Sequence, residues 1–108
     1  MSGNIIEATE KDFTQLVDTT LPIVIDFWAE WCSPCKRLTP VIEELAAEMD
    51  GQVKFIKINV DNNQEIASQY QVMSIPTLIF LKNGQEVDRM VGAAGKDSLV
   101  KKIKTLFH

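Results

Sequence analysis

Long apolar runs are absent from this chain of 108 residues. No segment approaches the roughly 20 consecutive apolar residues of a membrane span, so we expect no membrane partner. A basic excess is absent too, since the formal net charge is −4, and this argues against nucleic acid as a partner. The first ten residues lack the basic and apolar regions of a secretory signal, which predicts a cytoplasmic location.

Cysteine and histidine are scarce, because the chain has two Cys and a single His, His108. Structural zinc usually takes four such ligands, so a zinc site here would need carboxylates or a second chain, and we expect no metal. In a reducing compartment a cysteine pair is more often catalytic or metal-binding than structural. Repeats and linkers are also missing, and 45% hydrophobic residues suffice for one core, which predicts a single domain over residues 1–108.

Strand and helix patterns alternate along the whole chain, which predicts an α/β fold. Strands are predicted at residues 4–8, 23–28, 53–60, 77–82 and 86–91. Helices are predicted from a Thr9 cap to residue 17, over residues 34–49 with a kink at Pro40, and over residues 64–70 after an Asn63 cap. A final helix has a core face made of Leu99, Val100, Ile103, Leu106 and Phe107.

The predicted order is therefore β-α-β-α-β-α-β-β-α. Helical crossovers require parallel pairing in the first half, whereas Asn83-Gly84 predicts a tight antiparallel hairpin between the last two strands. A five-stranded mixed sheet with helices on both faces follows. The apolar run IVIDFW at residues 23–28 is typical of a central strand that is covered on both faces.

Both cysteines lie in the motif WCSPCK at residues 31–36, between a buried strand and a long helix. The start of a helix offers free N–H groups and a partial positive charge, which favour a thiolate at Cys32. We therefore predict Cys32 as the exposed nucleophile and Cys35, one turn further in, as the buried resolving thiol. Pro34 suits the first helical turn, where no N–H is needed.

Asp26 is a lone carboxylate among apolar neighbours in the second predicted strand. If the side chain is buried, its pKa rises, and it could then exchange a proton with Cys35. If the strand lies at an exposed edge instead, Asp26 is an ordinary surface residue. The residues alone leave both interpretations open.

The sequence resembles the thioredoxin family over essentially its whole length. The matching features are DFWA at residues 26–29, WCSPCK at 31–36, Pro40, Lys57, Asp61, IPT at 75–77, KNG at 82–84 and VGA at 91–93. The resemblance implies a thioredoxin fold, with five strands and four helices, and a thiol–disulfide oxidoreductase that reduces protein disulfides in electron transport and cell redox homeostasis. The chain has no flavin or nicotinamide fingerprint, so we expect no cofactor and regeneration by another protein. The resemblance implies a thioredoxin reductase in that role. We also expect a monomer.

The resemblance also assigns roles to residues. Lys57 would be the partner of Asp26, the cysteines would form a redox-active disulfide, and Pro76 would be a cis-proline that exposes the Ile75 backbone to an extended substrate. The residues alone favour an ordinary trans proline that opens a strand, because cis X-Pro bonds are uncommon. The predicted substrate-binding residues are Trp31, Ser33, Pro34, Ser74, Ile75, Pro76, Val91, Gly92 and Ala93.

Three positions depart from the family's usual pattern. Ser33 replaces a Gly between the cysteines, and its hydroxyl could donate a hydrogen bond to the Cys32 thiolate. Ser74 replaces a Gly, and Gly95 stands where a Ser or Thr helix cap is common. Two other functions stay open at this point: an oxidant or isomerase of the same fold, and a binding module that uses the face around Trp31 with redox chemistry secondary.

Overall fold

The computed structural model describes residues 4–107, so His108 and the first three residues lie outside it. Within that part of the chain, five strands and four helices follow one another in the predicted order. The strands are β1 (Ile5–Glu7), β2 (Ile23–Trp28), β3 (Lys54–Asn59), β4 (Thr77–Lys82) and β5 (Gln85–Val91). The helices are α1 (Phe13–Val17), α2 (Ser33–Glu48), α3 (Gln64–Gln69) and α4 (Lys96–Leu106).

The strands form a single mixed sheet in the order β1-β3-β2-β4-β5. β1 and β2 both pair with β3 in parallel, whereas β4 runs antiparallel to β2 and to β5. The prediction of parallel pairing first and an antiparallel hairpin last is therefore confirmed. β2 lies in the middle of the sheet, which explains why five of its six residues are buried.

Helices cover both faces of the sheet, and alternate residues of each strand point to opposite faces. Val24 of β2 belongs to the core shared with α2 and α4, while Ile25 belongs to the core shared with α1 and α3. By this alternation Asp26 lies on the same face as Val24, beneath α2. The helix that carries the cysteines is thus on the same side of the sheet as the lone carboxylate.

One predicted helix cap is wrong, and a second has the predicted position but makes no side-chain bond to its helix. Thr9 does not cap α1, which begins only at Phe13; its N–H donates instead to the Asp12 carboxylate at 2.8 Å, within a turn that precedes the helix. Asn63 holds the cap position of α3 without a side-chain bond to that helix. Its amide group accepts from the Glu10 N–H and donates to the Asn59 carbonyl.

The first turn of α3 is capped from a distance. The Glu10 carboxylate accepts the N–H of Glu65 at 2.8 Å, across 55 positions of sequence. A carboxylate at a helix N-terminus is favoured because it meets free amides and the positive end of the helix dipole. Of residues 4–107, no helix combines the length and the apolar character needed to cross a membrane.

The start of α4 lacks a side-chain cap, because Gly95 occupies the cap position. Its backbone angles, φ −79° and ψ 162°, suit a Ser, and a Cβ there would meet no atom within 4 Å. Gly95→Ser should raise the free energy of unfolding by about 0.5–1 kcal/mol, through a new cap bond and a less flexible unfolded chain. Denaturant unfolding of the variant and the unsubstituted chain measures the change.

Gly51→Ser is the matched control. A Cβ at Gly51 also meets no atom within 4 Å, but its φ of +83° is strained for an L-residue, so this variant should lose about 1 kcal/mol. If Gly95→Ser is no more stable than the unsubstituted chain, the uncapped start of α4 is not a weakness of the fold.

Candidate active site

The two cysteines form a disulfide at the start of α2, with their Cα atoms 5.3 Å apart. Cys32 is the N-cap residue of this helix, and its Sγ accepts the N–H of Cys35 at 3.2 Å. The sulfur therefore takes the position in which an oxygen of Ser, Thr or Asp usually caps a helix. The first turn begins with Ser33 and Pro34, and the missing N–H of Pro34 costs nothing there.

The prediction that Cys32 is exposed is wrong for the disulfide form. Its exposed fraction is 4%, against 0% for Cys35. Both sulfur-bearing residues pack with Ala29 against the partly buried Trp28, Val60 and Ile75, which explains the low exposure. The prediction that Cys35 is more buried than Cys32 is confirmed.

Asp26 is buried, with an exposed fraction of 1%, so the interpretation as a surface residue is excluded. Within residues 4–107 neither of its carboxylate oxygens has a hydrogen-bond partner. Burial raises the pKa of Asp26 from 3.8 to about 7, while the charge of Lys57 lowers this pKa and the charge of Glu7 raises it. The carboxyl group therefore titrates near neutral pH, where a proton carrier is most useful.

Lys57 lies beside Asp26 on the neighbouring strand, since the two residues are register partners of β2 and β3. Its ammonium nitrogen is 4.2 Å from the ring centroid of Trp28, a cation–π contact. In the described part of the chain this nitrogen forms no ion pair within 4 Å. Lys57 thus acts on Asp26 through its charge, without a direct bond.

Residues of two further loops lie beside the disulfide. The Ile75-Pro76 peptide bond is cis, as the resemblance implied. Neither the N–H nor the carbonyl of Ile75 has a backbone partner in the described part of the chain, so both are free to pair with an incoming strand. The Gly92 N–H donates to the Pro76 carbonyl at 2.8 Å, which joins the second loop to the first. Gly92 has a φ of +95°, which explains the glycine there.

An apolar surface surrounds these loops. Trp31 is 69% exposed and Val91 is 65% exposed, while Ser74 and Ala93 are exposed as well. The Trp31 indole N–H donates to the Asp61 carboxylate at 2.9 Å, which holds the ring in one orientation. A shallow groove of about 170 Å³ is lined by Trp31, Val60, Val72, Met73, Ser74 and Ile75.

Sequence reasoning missed two residues of this region. Met73 is 93% exposed beside the groove, yet an isolated Met in a loop gives no periodic signal. Glu7 accepts the Trp28 indole N–H at 3.2 Å and acts electrostatically on Asp26. Only the pairing of β1 with β3 could have identified it.

Ser33 is exposed, and its hydroxyl has no hydrogen-bond partner among the described residues. Because Cys32 is in a disulfide here, the predicted hydrogen bond from Ser33 to a Cys32 thiolate is untested.

A disulfide at a helix N-terminus, a buried carboxyl group that titrates near neutrality and a free backbone edge beside them define a thiol–disulfide oxidoreductase. The sequence model of the family described as Thioredoxin matches residues 4–105. The chain belongs to the thioredoxin family. Members of this family reduce protein disulfides, and in general they act with disulfide-containing substrates and thioredoxin reductases.

Individual relatives agree with this assignment. A thioredoxin of Chlorobaculum thiosulfatiphilum is 48% identical over 103 residues, which span 94% of this chain and 95% of the relative. A thioredoxin of Rickettsia bellii is 46% identical over 101 residues, 93% of either chain. A thioredoxin of Staphylococcus aureus is 48% identical over 95 residues, or 88% of this chain and 90% of the relative.

The raised pKa of Asp26 predicts how stability depends on pH. Between its unfolded pKa of 3.8 and its folded pKa of about 7, the folded chain keeps a proton that the unfolded chain releases, so stability falls as pH rises through this window. Asp26→Asn removes this dependence. From about pH 4 to about pH 8 the unsubstituted chain should lose up to about 4 kcal/mol relative to the variant.

Denaturant unfolding of both proteins across this pH range measures the difference. The unfolding free energies are compared as pH profiles, so a constant offset from the Asn side chain cancels. Parallel profiles would show that Asp26 titrates at the same pH in the folded and unfolded chain, contrary to its burial without a partner.

Proposed function

We propose that Cys32 is the nucleophile, Cys35 the resolving thiol and Asp26 the proton acceptor in the reduction of protein disulfides by this chain. One observation carries the proposal: the Cys32 sulfur caps α2 and accepts the Cys35 N–H at 3.2 Å. A negative charge on that sulfur would meet both this donor and the positive end of the helix dipole. The same charge on Cys35 would have no such support.

The reaction begins from the dithiol. The Cys32 thiolate attacks one sulfur of the substrate disulfide, so that a Cys32–substrate disulfide forms and the other substrate sulfur leaves as a thiolate. Attack by the thiolate needs access to Cys32, which is the less buried of the two cysteines. Cys35 is fully buried and reaches only the neighbouring sulfur.

The second exchange releases the substrate. The Cys35 thiol gives its proton to the Asp26 carboxylate and then attacks the Cys32 sulfur. The Cys32–Cys35 disulfide forms, the second substrate sulfur leaves as a thiolate, and two electrons have passed to the substrate. Because the pKa of Asp26 is about 7, a substantial share of this group is ionised near neutral pH and able to accept the proton.

The loops beside the disulfide supply the binding surface in this proposal. An extended substrate segment would pair with the free backbone of Ile75 and lie against Trp31, Ser74 and Pro76 on one side. Val91, Gly92 and Ala93 would form the other side, with Ser33 and Pro34 beneath the reacting sulfurs. Lys57 would serve as the charged partner of Asp26. The exposed apolar area of Trp31 and Val91 supports this role, because such area favours protein contacts.

The cellular setting is part of the same proposal. The chain would act as a single-domain monomer in the cytoplasm, where it would carry electrons from a thioredoxin reductase to disulfide-containing proteins. The net charge of −4 and the absence of a basic surplus support protein partners over nucleic acid.

Trapping tests the assigned order of the two cysteines. Cys35→Ser should accumulate stable mixed disulfides with substrate proteins through Cys32, because the resolving attack is removed. Its matched control, Cys32→Ser, should trap nothing and lose disulfide-reductase activity. Non-reducing electrophoresis and mass spectrometry of the linked peptides provide the measurement. If Cys32→Ser traps substrates as well as Cys35→Ser does, the roles of the two sulfurs are not as assigned.

Ser33 is expected to make the dithiol less reducing. A hydrogen bond from its hydroxyl to the Cys32 thiolate would stabilise the reduced form, and one such bond corresponds to roughly 30 mV or more. Ser33→Gly should therefore have the more negative potential, as measured by equilibration with a glutathione buffer. A potential of the unsubstituted chain at or below that of Ser33→Gly would contradict the hydrogen bond.

A further inference from the structure

Three charged side chains form one row across the sheet. Glu7 of β1 is the register partner of Lys57 on β3, and Lys57 is the register partner of Asp26 on β2. Register partners in a sheet point to the same face. The row therefore runs from the exposed Glu7 at the edge strand to the buried Asp26 in the middle, with Lys57 between them.

An indole ring contacts both Glu7 and Lys57 of this row. The Trp28 N–H donates to the Glu7 carboxylate at 3.2 Å, and the Lys57 ammonium lies 4.2 Å from the centroid of the same ring. The ammonium is thus held against the indole, while both oxygens of Asp26 stay without a hydrogen-bond partner within residues 4–107. Trp28 therefore contacts both Glu7 and Lys57.

On the other side of Asp26, its register partner on β4 is the apolar Leu78. The core on this face of the sheet, which α2 and α4 share, consists of apolar residues. Lys57 and Glu7 are the charged groups that act on the pKa of Asp26, Lys57 by lowering it and Glu7 by raising it. A change at Glu7 is therefore a direct test of what determines the protonation of Asp26.

Glu7 also borders a cleft of about 540 Å³. Its other lining residues include Glu10, Trp28, Asn59 and Asn63. Several of these side chains are polar, so the cleft suits water. Glu7, at the outer end of the row, is thus exposed within this cleft.

We propose that Glu7 is a positioning residue of the disulfide exchange: its carboxylate holds the Trp28 indole, and this ring keeps the Lys57 ammonium from pairing directly with Asp26. Glu7 touches neither the sulfurs nor the substrate surface and acts through these neighbours. The inference rests on the proposed role of Asp26 as proton acceptor. Without Glu7, the indole loses its acceptor, and Lys57 is free to approach Asp26 and stabilise the carboxylate.

Three variants separate the contributions of Glu7. Glu7→Gln keeps an oxygen that can accept the indole N–H but removes the charge, whereas Glu7→Ala removes both, and Glu7→Asp keeps the charge. The Asp26 carboxyl group is titrated by carbon-13 NMR in the oxidised protein, and the Trp28 indole N–H is followed in the same samples. Reduction of insulin disulfides, measured as kcat and KM across pH, gives the functional readout.

The midpoint of the Asp26 titration should fall by about half a pH unit or more in Glu7→Ala, since a like charge is lost and Lys57 is released. It should fall less in Glu7→Gln and stay nearest the original value in Glu7→Asp. The pH profile of kcat should move with this midpoint, while KM stays the same because Glu7 lies away from the substrate surface. The indole N–H signal should move in Glu7→Ala.

Glu65→Gln is the matched control, because it removes the same charge from an exposed side chain at the start of α3 and should leave the Asp26 midpoint unchanged. An unchanged midpoint in Glu7→Ala, an equal fall in Glu7→Gln and Glu7→Ala, or an equal fall in Glu65→Gln would overturn the proposal. If the Asp26 midpoint falls while the pH profile of kcat stays fixed, the effect of Glu7 on the protonation of Asp26 is supported. That result overturns the proposed proton transfer by Asp26 instead.

Discussion

A sulfur atom caps the helix that follows the central strand, and the chemistry of the site depends on this contact. Helices leave their first amides unpaired, and here the Cys35 amide donates to the Cys32 sulfur at 3.2 Å. The contact makes the two cysteines unequal although they are three positions apart, since only the first lies at the positive end of the helix. The start of α2 in turn follows closely on the end of β2, the central strand of the sheet.

The central position of β2 buries the carboxyl group of Asp26, which is unfavourable for its charged form. A carboxyl group in the middle of a covered sheet loses its water, and no hydrogen bond within residues 4–107 replaces it. The chain tolerates this because the group can remain protonated up to about pH 7, and the charge is avoided where it would be most expensive. Asp26 is a polar residue at a buried strand position where the pattern calls for an apolar one. Such exceptions are common at functional sites.

Local patterns predicted much of the fold. The apolar run of β2 and the Asn83-Gly84 turn gave strands whose observed limits, Ile23–Trp28 and Thr77–Lys82, match the prediction. The caps were predicted less well: Thr9 does not cap α1, and Asn63 holds the cap position of α3 while its side chain bonds to Glu10 and Asn59. The partner that caps α3, Glu10, is 55 positions away from the amide it binds. No local pattern contains such a contact, and the limited exposure of Cys32 likewise depends on residues that packing brings together.

The row of Glu7, Lys57 and Asp26 shows why strand order matters more than strand location for this site. The alternation of residues in β1, β2 and β3 is visible in the sequence, but it does not say that β3 lies between the other two. If β1 paired with β2 instead, in a register that set Glu7 opposite Asp26, two carboxylates would lie side by side and disfavour each other's charge. The observed order places a cation between them. The same crossover that builds a parallel sheet thus separates the two acids and gives each a different environment.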